Sequence, residues 1–352
     1  MDRPEERGGA QGHPSQRGSA ASPMIDSAPA GGTQGFTPKG GLQAFATRGT
    51  SELLRELDEL KRQHDAVVLA HYYVGAEVQR AADFVGDSFA LARLATTVPQ
   101  RTLVIAGVSF MAESMKLLNP DKRVLAPDLS ADCPMAHMVN PETVRRARER
   151  YGDDLAVVCY VNSTAEIKSW SDVCVTSSNA VKIVRNLSQH HVLFIPDEHL
   201  GRYVARQVPE KHVILNDGCC PFHAQITAQE VRALKQAHPD APVLAHPECA
   251  SEVLELADIV GSTAEIIDAA AASDAQEFIV VTMAGVQAEL ERRCGADRRF
   301  YFTGTSRCPE MDKLTLEKLV ACLRDGTGEV PMPACAGQAA ATLDRMLAYA
   351  AR

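Results

Sequence analysis

Short apolar runs alternate with amphipathic stretches along most of the chain after residue 47. The first runs are AVVLA, TLVIAGV and RVLA, which begin at Ala66, Thr102 and Arg123. The stretches between them, such as SFALARLATT, carry apolar residues at helical spacing. Continuous apolar runs are typical of parallel strands that are buried on both faces, and helices connect such strands. The pattern therefore predicts an α/β fold of parallel sheets with helices on both faces.

One polar pattern occurs three times. The copies run from Ala70 to Ser88, from Cys159 to Ser177 and from Ala245 to Thr263, and they align without a gap. Each copy keeps Glu and Asp at the same positions, and each ends in Ser or Thr. Self-similarity at a fixed period indicates a repeated unit, and a period of 86 to 89 residues fits a small domain. We therefore predict three homologous three-layer αβα domains, arranged with pseudo-threefold symmetry around a central active site.

The repeat divides the chain into segments. We predict α/β domains at residues 48–134, 135–222 and 223–308, and C-terminal helices at residues 309–352 that close the site. The first ordered stretch, SELLRELDELKRQ, has leucines at helical spacing, which predicts a helix with Ser51 as its N-cap. Residues 1–47 are rich in Gly, Pro, Ser and Gln and lack apolar periodicity. This composition predicts a disordered N-terminal extension.

Three of the ten cysteines follow the same period. Cys133, Cys220 and Cys308 lie 87 and 88 residues apart, so each occupies nearly the same place in its own repeat. In a pseudo-threefold molecule, three equivalent thiols converge near the axis. Cysteines are often buried as small hydrophobic residues, and spacing alone does not separate Cys220 from its neighbour Cys219. The shared period nevertheless favours a set of three metal ligands.

Three thiolates without a fourth protein ligand are unusual for zinc. Structural zinc takes four protein ligands, and catalytic zinc more often has histidine or carboxylate among its three. Iron–sulfur clusters usually take four cysteines, so three cysteines suit a cubane cluster with one iron open to substrate. An open iron is a Lewis acid that can hold a carboxylate and promote dehydration. We therefore expect non-redox elimination rather than electron transfer.

Polar side chains follow the predicted strands at their carboxyl ends. In parallel sheets, ligands bind beyond these ends, and a helix N-terminus with a hydroxyl group suits phosphate or carboxylate. Taken singly, the hydroxyl residues could be ordinary N-caps, and the histidines could be core residues bonded to the backbone. Together they predict a central cavity for a small anionic substrate. The positions are His71, Tyr73, Ser88, Tyr160, Asn162, Ser177, His246, Glu248 and Thr263.

Charge, hydropathy and cysteine pattern bear on which partners and which cellular compartment we expect. The formal net charge is −9 and the sequence pI is about 5.7, so we expect no binding of nucleic acid. No apolar run is long enough to span a bilayer, and the N-terminal residues lack the apolar core of a signal peptide. The ten cysteines include no CxxC pair. We therefore expect a cytoplasmic protein without a membrane partner, whose thiols stay reduced.

Several short strings are specific enough to indicate a family. They are AHYY, DFVGDS, GVSFMAES, YVN, TSSNAVKIV, PDEHLG, G-x-C-x-x-H, HPEC, DIVGST and CPEM, together with the loop that carries Cys133. From about Ala66 to about Leu319, the chain resembles the quinolinate synthases of de novo NAD biosynthesis. The resemblance implies three stacked α/β domains around one [4Fe–4S] cluster per chain. It implies a transferase-class synthase that condenses iminoaspartate with dihydroxyacetone phosphate, releasing phosphate and water, with the open iron as Lewis acid.

The resemblance also implies roles for particular residues. Gly218, Cys220 and His223 match the G-x-C-x-x-H string, so Cys220 rather than Cys219 would be a cluster ligand, beside Cys133 and Cys308. Four residues match the catalytic positions, with Tyr73 as the acid/base tyrosine: His71, Tyr73, His246 and Glu248. Nine residues match the substrate-contacting positions: His71, Ser88, Tyr160, Asn162, Ser177, His223, His246, Glu248 and Thr263.

The chain departs from the family pattern at three positions. Met283 replaces a common acidic residue, Leu314 a common Asn and Val74 a common Gln. None of these changes removes a predicted ligand or Tyr73. The family context also implies that an L-aspartate oxidase supplies the unstable iminoaspartate, by diffusion or by contact.

Two other functions are compatible with the residues alone. A cluster-dependent hydro-lyase acting on a hydroxy acid would use the same open iron but would need no phosphate site. An iron–sulfur sensor would need a fourth protein ligand, such as Cys249 or Cys219, and would be insensitive to replacing Tyr73. The polar lining at three strand ends argues against the sensor.

Overall fold

The computed structural model describes residues 48–350 of the chain. The predicted N-terminal extension, residues 1–47, lies outside the described residues. Within that part of the chain, twelve strands form three separate four-stranded sheets, and every strand pairing is parallel. Helices follow most strands, as the alternating pattern predicts.

The three sheets have the same strand order. The first contains β1 (Ala66–His71), β2 (Phe84–Gly86), β3 (Thr102–Ala106) and β4 (Arg123–Leu125). The second contains β5 (Leu155–Tyr160), β6 (Val173–Val175), β7 (His191–Ile195) and β8 (His212–Leu215). The third contains β9 (Val243–Ala245), β10 (Ile259–Val260), β11 (Glu277–Val281) and β12 (Arg299–Tyr301). Their orders are β2-β1-β3-β4, β6-β5-β7-β8 and β10-β9-β11-β12, so each sheet places its first strand second and its second strand at the edge.

The helices between the strands are mostly short. In chain order they are α1 (Arg48–Gln63), α2 (Ala76–Ala81), α3 (Ser88–Ala95), α4 (Ser109–Leu118), α5 (Pro141–Tyr151), α6 (Ala165–Ser169), α7 (Ala180–Asn186), α8 (Glu198–Gln207), α9 (Pro221–Ala224), α10 (Ala228–Ala237), α11 (Ser251–Leu254), α12 (Thr263–Ala272), α13 (Gln287–Cys294), α14 (Pro309–Asp312), α15 (Leu316–Asp325) and α16 (Ala336–Ala350). Single 3₁₀ turns occur at Pro134–His137, Gly152–Asp154 and Ala284–Val286. Because α1 begins at Arg48, Ser51 lies inside the helix, and the prediction that it is the N-cap was wrong.

The repeated aspartate has a structural explanation. Asp83, Asp172 and Asp258 each precede the second strand of a sheet, and each carboxylate accepts a hydrogen bond from a backbone N–H of the first strand. The acceptor distances are 2.8 Å from Val68, 2.7 Å from Val157 and 2.8 Å from Val243. In each case the aspartate's own N–H donates back to the same residue. Each aspartate thus sets the register of an edge strand that is only two or three residues long.

The central strands are the core of the molecule. All six residues of β1 and of β5 are buried, as are all five residues of β3. Helix α16 packs against α6 and β6 and so covers the second sheet, whereas α1 packs against β1 and is itself contacted by α15. Among residues 48–350, no helix combines the length and apolarity needed to cross a bilayer.

The predicted α/β class, with three parallel sheets flanked by helices, is confirmed. The equal strand orders agree with three homologous units. The pseudo-threefold arrangement and the domain boundaries at 134, 222 and 308 stay predictions.

Candidate active site

The carboxyl ends of strands from all three sheets meet at one cavity. Strand β1 ends at His71, β5 ends at Tyr160, and His246 directly follows β9. Every site residue predicted from the sequence lines this cavity: His71, Tyr73, Ser88, Cys133, Tyr160, Asn162, Ser177, Cys220, His223, His246, Glu248, Thr263 and Cys308. The strand-end rule thus brings together residues that are up to 237 positions apart in the sequence.

The three cysteines share one local geometry. Each precedes a proline and is the N-cap residue of a single helical turn or short helix. Their φ and ψ angles are −91° and 113° at Cys133, −69° and 112° at Cys220, and −109° and 101° at Cys308. Proline is favoured at the first helical position, where free backbone N–H groups attract a negative charge. The same local structure, a Cys-Pro pair at the start of a helical turn, therefore places all three thiols at the cavity.

Cys219 differs from Cys220 in its local sequence and in its position relative to the cavity. It does not precede a proline, and it is absent from the cavity lining within residues 48–350. All ten cysteines of the sequence lie in the described part and are free thiols. Of these, only Cys133, Cys220 and Cys308 line the cavity.

Hydrogen bonds connect two of the cysteine loops. The Glu310 carboxylate, two residues after Cys308, accepts a 2.9 Å bond from the backbone N–H of Asp132. Asp132 in turn accepts a 2.9 Å bond from the backbone N–H of Cys133. The Lys313 ammonium donates a 2.6 Å bond to the same oxygen of Glu310. The loops that carry Cys133 and Cys308 are therefore fixed to each other.

Burial controls the ionisation of the thiols. Burial raises the pKa of Cys133 and Cys220 well above the usual range of a thiol, and the nearby Glu248 raises both further. Burial also raises the pKa of Cys308 to about 11. A bound cation reverses this effect, since thiolates are the metal-binding form and binding releases their protons.

Glu248 is the centre of a buried polar network. Its Oε2 lies 2.7 Å from Nδ1 of His223, and its Oε1 accepts a 2.6 Å bond from the Tyr160 hydroxyl. Its backbone carbonyl lies 2.9 Å from Nδ1 of His199. Burial alone would raise the pKa of Glu248, but His223, His246 and the Tyr160 hydroxyl hold it below its usual value. The carboxylate is thus held ionised in a cavity where its side chain is almost fully enclosed.

One donor set in this network has metal-binding geometry. The ligand atoms of Cys220, His223 and Glu248 all lie within 4.8 Å of one another, and all three residues are buried. Nδ1 of His223 also lies 3.3 Å from the Cys220 sulfur. These three residues could therefore hold a metal ion by themselves.

Tyr73 is held between two threonines. Its hydroxyl lies 2.8 Å from Oγ1 of Thr263 and 2.6 Å from Oγ1 of Thr282. Burial raises the pKa of Tyr73 far above that of a free phenol, the Glu248 charge raises it further, and the two threonine bonds act in the opposite direction. The phenol is therefore protonated at neutral pH and can act first as an acid.

The two histidines at strand ends are neutral at physiological pH. Burial lowers the pKa of His71 to about 4 and that of His246 to about 3, although the Glu248 charge opposes both shifts. Nδ1 of His71 accepts a 3.1 Å bond from the backbone N–H of Tyr73, which fixes the ring beside the phenol. Nε2 of His246 lies 3.2 Å from the Ser177 hydroxyl.

The repeated hydroxyl residues do not serve as helix N-caps. Asp87 caps α3, so Ser88 occupies the first helical position, and Ser262 caps α12 in front of Thr263. Helix α7 begins only at Ala180, three residues after Ser177. The alternative interpretation of these hydroxyl groups as N-caps was therefore wrong, and all three face the cavity.

Sequence reasoning missed several residues around the cavity. Phe110, Glu310 and Met311 line it and lie in strings that the motif comparison noted without assigning a role. Thr282 follows β11 directly, so the strand-end rule would have found it had the rule been applied to the third strand of the repeat. Further lining residues are Asp87, Val108, Val161, Thr176 and Phe222.

The three departures from the family pattern have different environments. Met283 lines the cavity and is almost fully buried. Leu314 and Val74 are also buried, but neither lines the cavity. Of the three, Met283 alone is placed to alter the site directly.

Fold and cavity together define a class of α/β protein in which three parallel sheets and the loops around them present three thiols, three imidazoles and three carboxylates to a single site. The profile of the family described as Quinolinate synthetase A protein matches residues 55–348. The chain belongs to this family. It is 47% identical over 295 residues to a quinolinate synthase of Fusobacterium nucleatum, a match that covers 84% of this chain and 98% of that protein.

Two further relatives come from other organisms. A quinolinate synthase of Aquifex aeolicus is 43% identical over 288 residues, covering 80% of this chain and 89% of the relative. One of a Sulfurihydrogenibium species is 41% identical over 307 residues, covering 85% and 99%. The family resemblance inferred from the motifs is thereby confirmed, and with it, at the level of the family, the predicted function in NAD biosynthesis.

Proposed function

We propose that this chain condenses iminoaspartate with dihydroxyacetone phosphate to give quinolinate, with release of phosphate and water. The observation that carries the proposal is the meeting of all thirteen predicted residues in one cavity of a chain that belongs to the quinolinate synthase family. The assignment to the transferase class rests on this condensation.

Cys133, Cys220 and Cys308 would hold a [4Fe–4S] cluster, one per chain. The donor set fits it, because three thiols face one cavity by the same Cys-Pro device and no fourth cysteine lines that cavity within residues 48–350. When bound, such a cluster supplies a Lewis-acidic iron for a substrate carboxylate and nitrogen. Hydrogen bonds between the Cys133 and Cys308 loops support a ligand set that is formed in advance.

Tyr73 would exchange protons with the carbon chain of the triose. Its hydroxyl is fixed by two threonines, so it presents one defined direction to a bound substrate. Neutral His71 lies beside it, with ring centroids 4.7 Å apart. Because Nδ1 of neutral His71 accepts the backbone bond from Tyr73, its Nε2 carries the ring proton and can donate a hydrogen bond to a substrate oxygen.

Glu248 and His246 would handle the protons of imine formation and dehydration. Glu248 is ionised and bonded to Tyr160 and His223, so it can accept a proton and return it. His246 stacks against His223 with ring centroids 5.1 Å apart, which orders both rings.

The hydroxyl residues would bind the anionic groups. Ser88 and Thr263 occupy first helical positions, where backbone N–H groups point outward. Ser177 and Asn162 add further polar groups at the ends of the second sheet. These residues suit a phosphate and two carboxylates better than they suit an uncharged ligand.

The test is an anaerobic assay of quinolinate from enzymatically generated iminoaspartate and dihydroxyacetone phosphate. We expect product only when both substrates are present, and stoichiometric release of phosphate. Product formation that does not depend on the triose phosphate would instead support a hydro-lyase. A protein that carries iron but forms no product with both substrates would support a sensor and overturn the proposal.

Iminoaspartate is unstable in water, so an L-aspartate oxidase is the proposed upstream partner. Adding this oxidase at catalytic concentration tests whether diffusion is sufficient. We also propose a cytoplasmic location, because ten free thiols are typical of a protein in a reducing compartment.

A further inference from the structure

Thr282 connects two side chains of the cavity that come from distant parts of the chain. Its hydroxyl lies 2.6 Å from the Tyr73 hydroxyl and 2.9 Å from Nε2 of His223. The residue directly follows β11 of the third sheet and is fully buried. Neither the repeated pattern nor the resemblance assigns it a role.

The direction of these hydrogen bonds follows from the partners. In a neutral imidazole one nitrogen donates and the other accepts. Nδ1 of His223 faces the Glu248 carboxylate, which only accepts, so in the neutral form of the ring Nδ1 donates and Nε2 accepts from the Thr282 hydroxyl. Thr282 has then used its single proton, so its oxygen accepts the phenol proton of Tyr73. The Tyr73 oxygen is left to accept from Thr263.

The backbone of the same turn also fixes Tyr73. A side-chain carbon at Gly285 would lie 2.3 Å from the Tyr73 carbonyl oxygen, so the two backbones are in direct contact. The Gln79 amide donates 2.8 Å to 2.9 Å bonds to the carbonyls of Tyr72, Val74 and Gly285. The turn after β11 therefore holds both the backbone and the hydroxyl of Tyr73.

We propose that Thr282 is a positioning residue for Tyr73, which orients the phenol proton and joins the phenol to the His223–Glu248 pair. This inference rests on the proposed function, because it assigns the direction in which Tyr73 presents its proton. A hydroxyl is required at position 282, since a methyl group in its place would remove the partner of Nε2 of His223 and leave the phenol bonded to Thr263 but not to the His223–Glu248 pair. Serine retains this hydroxyl and valine retains only the shape of threonine.

The experiment compares Thr282→Val, Thr282→Ser and the parent enzyme. We expect Thr282→Val to lower kcat by about tenfold to a hundredfold with little change in KM, because misorientation of a reacting group acts on the chemical step. Thr282→Ser should restore most of kcat. Iron content and the affinity for quinolinate should be the same in all three proteins.

Two outcomes overturn the inference. One is an unchanged kcat in Thr282→Val. The other is a loss of kcat that Thr282→Ser shares and that is accompanied by weaker quinolinate binding or lower iron content, which would indicate a merely structural role.

A double substitution tests whether Thr282 acts through Tyr73. Adding Thr282→Val to Tyr73→Phe should lower kcat by less than about twofold beyond Tyr73→Phe alone, since residues of one unit are not additive. Multiplicative losses would contradict the proposal.

Nitrogen chemical shifts of the histidine rings provide a readout that does not depend on activity. In ¹⁵N-histidine-labelled protein, Thr282→Val should shift the Nε2 resonance of His223, and Thr282→Ser should leave it near the parent value. An unchanged His223 resonance in Thr282→Val would overturn the inference even if the parent enzyme proves to have another activity. An inactive parent with the expected shift would instead count against the proposed reaction alone.

Discussion

Burial and hydrogen-bond partners together set the protonation states of side chains around the cavity. Burial keeps the phenol of Tyr73 protonated and the imidazoles of His71 and His246 neutral, whereas its partners hold the buried Glu248 carboxylate ionised. Titratable groups whose pKa values are pushed apart in this way are suited to separate acid and base roles. These protonation states predict how substitution of Tyr73 changes the rate and how the stability of the protein depends on pH.

Replacing Tyr73 tests the acid/base assignment. Tyr73→Phe keeps the ring but removes the hydroxyl that lies between Thr263 and Thr282. We expect kcat to fall by about a hundredfold to ten-thousandfold with an unchanged cluster spectrum, which is the usual effect of losing a general acid. Tyr72→Phe is the matched control, since this neighbour is also buried but does not line the cavity. Equal losses in the two variants would contradict the assignment.

His71 predicts a pH dependence of stability. Its pKa is about 4 in the folded protein, and the unperturbed value is 6.5, so between these values the unfolded state binds more protons. Stability therefore falls as the pH falls from about 6.5 to about 4, by about 3 kcal/mol from this residue alone. Urea unfolding of the metal-free protein at several pH values measures the slope.

The His71→Asn variant is the control for this titration. Asparagine can still accept the backbone bond from Tyr73 but does not ionise in this range. The variant should lose less stability than the parent between pH 6.5 and pH 4. Parallel slopes in the two proteins would show that His71 does not carry the effect.

At the scale of single elements, the carboxyl ends of the strands explain why most of the predicted site residues lie at the cavity. Because a parallel strand must end before its crossover helix begins, the residues at this junction were identifiable from the sequence alone, as for His71, Tyr160 and His246. The junction after β11 was not identified, because its Thr-Met-Ala-Gly sequence carries no titratable residue to attract attention. Its importance depends on a contact with Tyr73, 209 residues away, that only the tertiary structure provides.

The close approach of the β11 turn to Tyr73 predicts a sensitive glycine. In Gly285→Ala the new methyl group would meet the Tyr73 backbone at 2.3 Å, so the turn or Tyr73 must move. We expect kcat to fall by about a hundredfold, as a displacement of about 1 Å can cause. Gly304→Ala is the control, because nothing lies within 4 Å of its added carbon. Normal activity of Gly285→Ala would contradict the tight packing of this turn.

At the scale of the whole molecule, the repeat in the sequence predicted three similar sheets, but it did not predict which helices pack against each sheet. The three sheets have equal strand orders and equal aspartate registers. The edge strands nevertheless differ in burial, because α16 covers β6 and leaves Phe84 of β2 and Ile259 of β10 exposed by 41% each. The C-terminal helix α16 follows the third repeat in sequence but packs on the second sheet. This contact joins distant parts of the chain, so local periodicity does not predict it.

Truncating the buried face of α16 tests this covering. Leu343 is fully buried against the second sheet and its helices. We expect Leu343→Ala to lower the free energy of unfolding by about 2 to 5 kcal/mol, with activity retained at low temperature because the helix does not line the cavity. Arg345→Ala, at an exposed position of the same helix, should change stability by less than about 0.5 kcal/mol. Similar stabilities of the two variants would contradict the packing.

We propose that Cys133, Cys220 and Cys308 together hold one iron–sulfur cluster. Iron and sulfide are to be measured in protein purified without oxygen, for the parent and for Cys133→Ala, Cys220→Ala, Cys308→Ala, Cys219→Ala and His223→Ala. We predict about four iron and four sulfide ions per chain in the parent and in Cys219→Ala, and a loss of both in the other three variants. A single metal ion without sulfide, lost in Cys220→Ala and His223→Ala but retained in Cys133→Ala and Cys308→Ala, would assign the site to Cys220, His223 and Glu248 instead and would contradict the account.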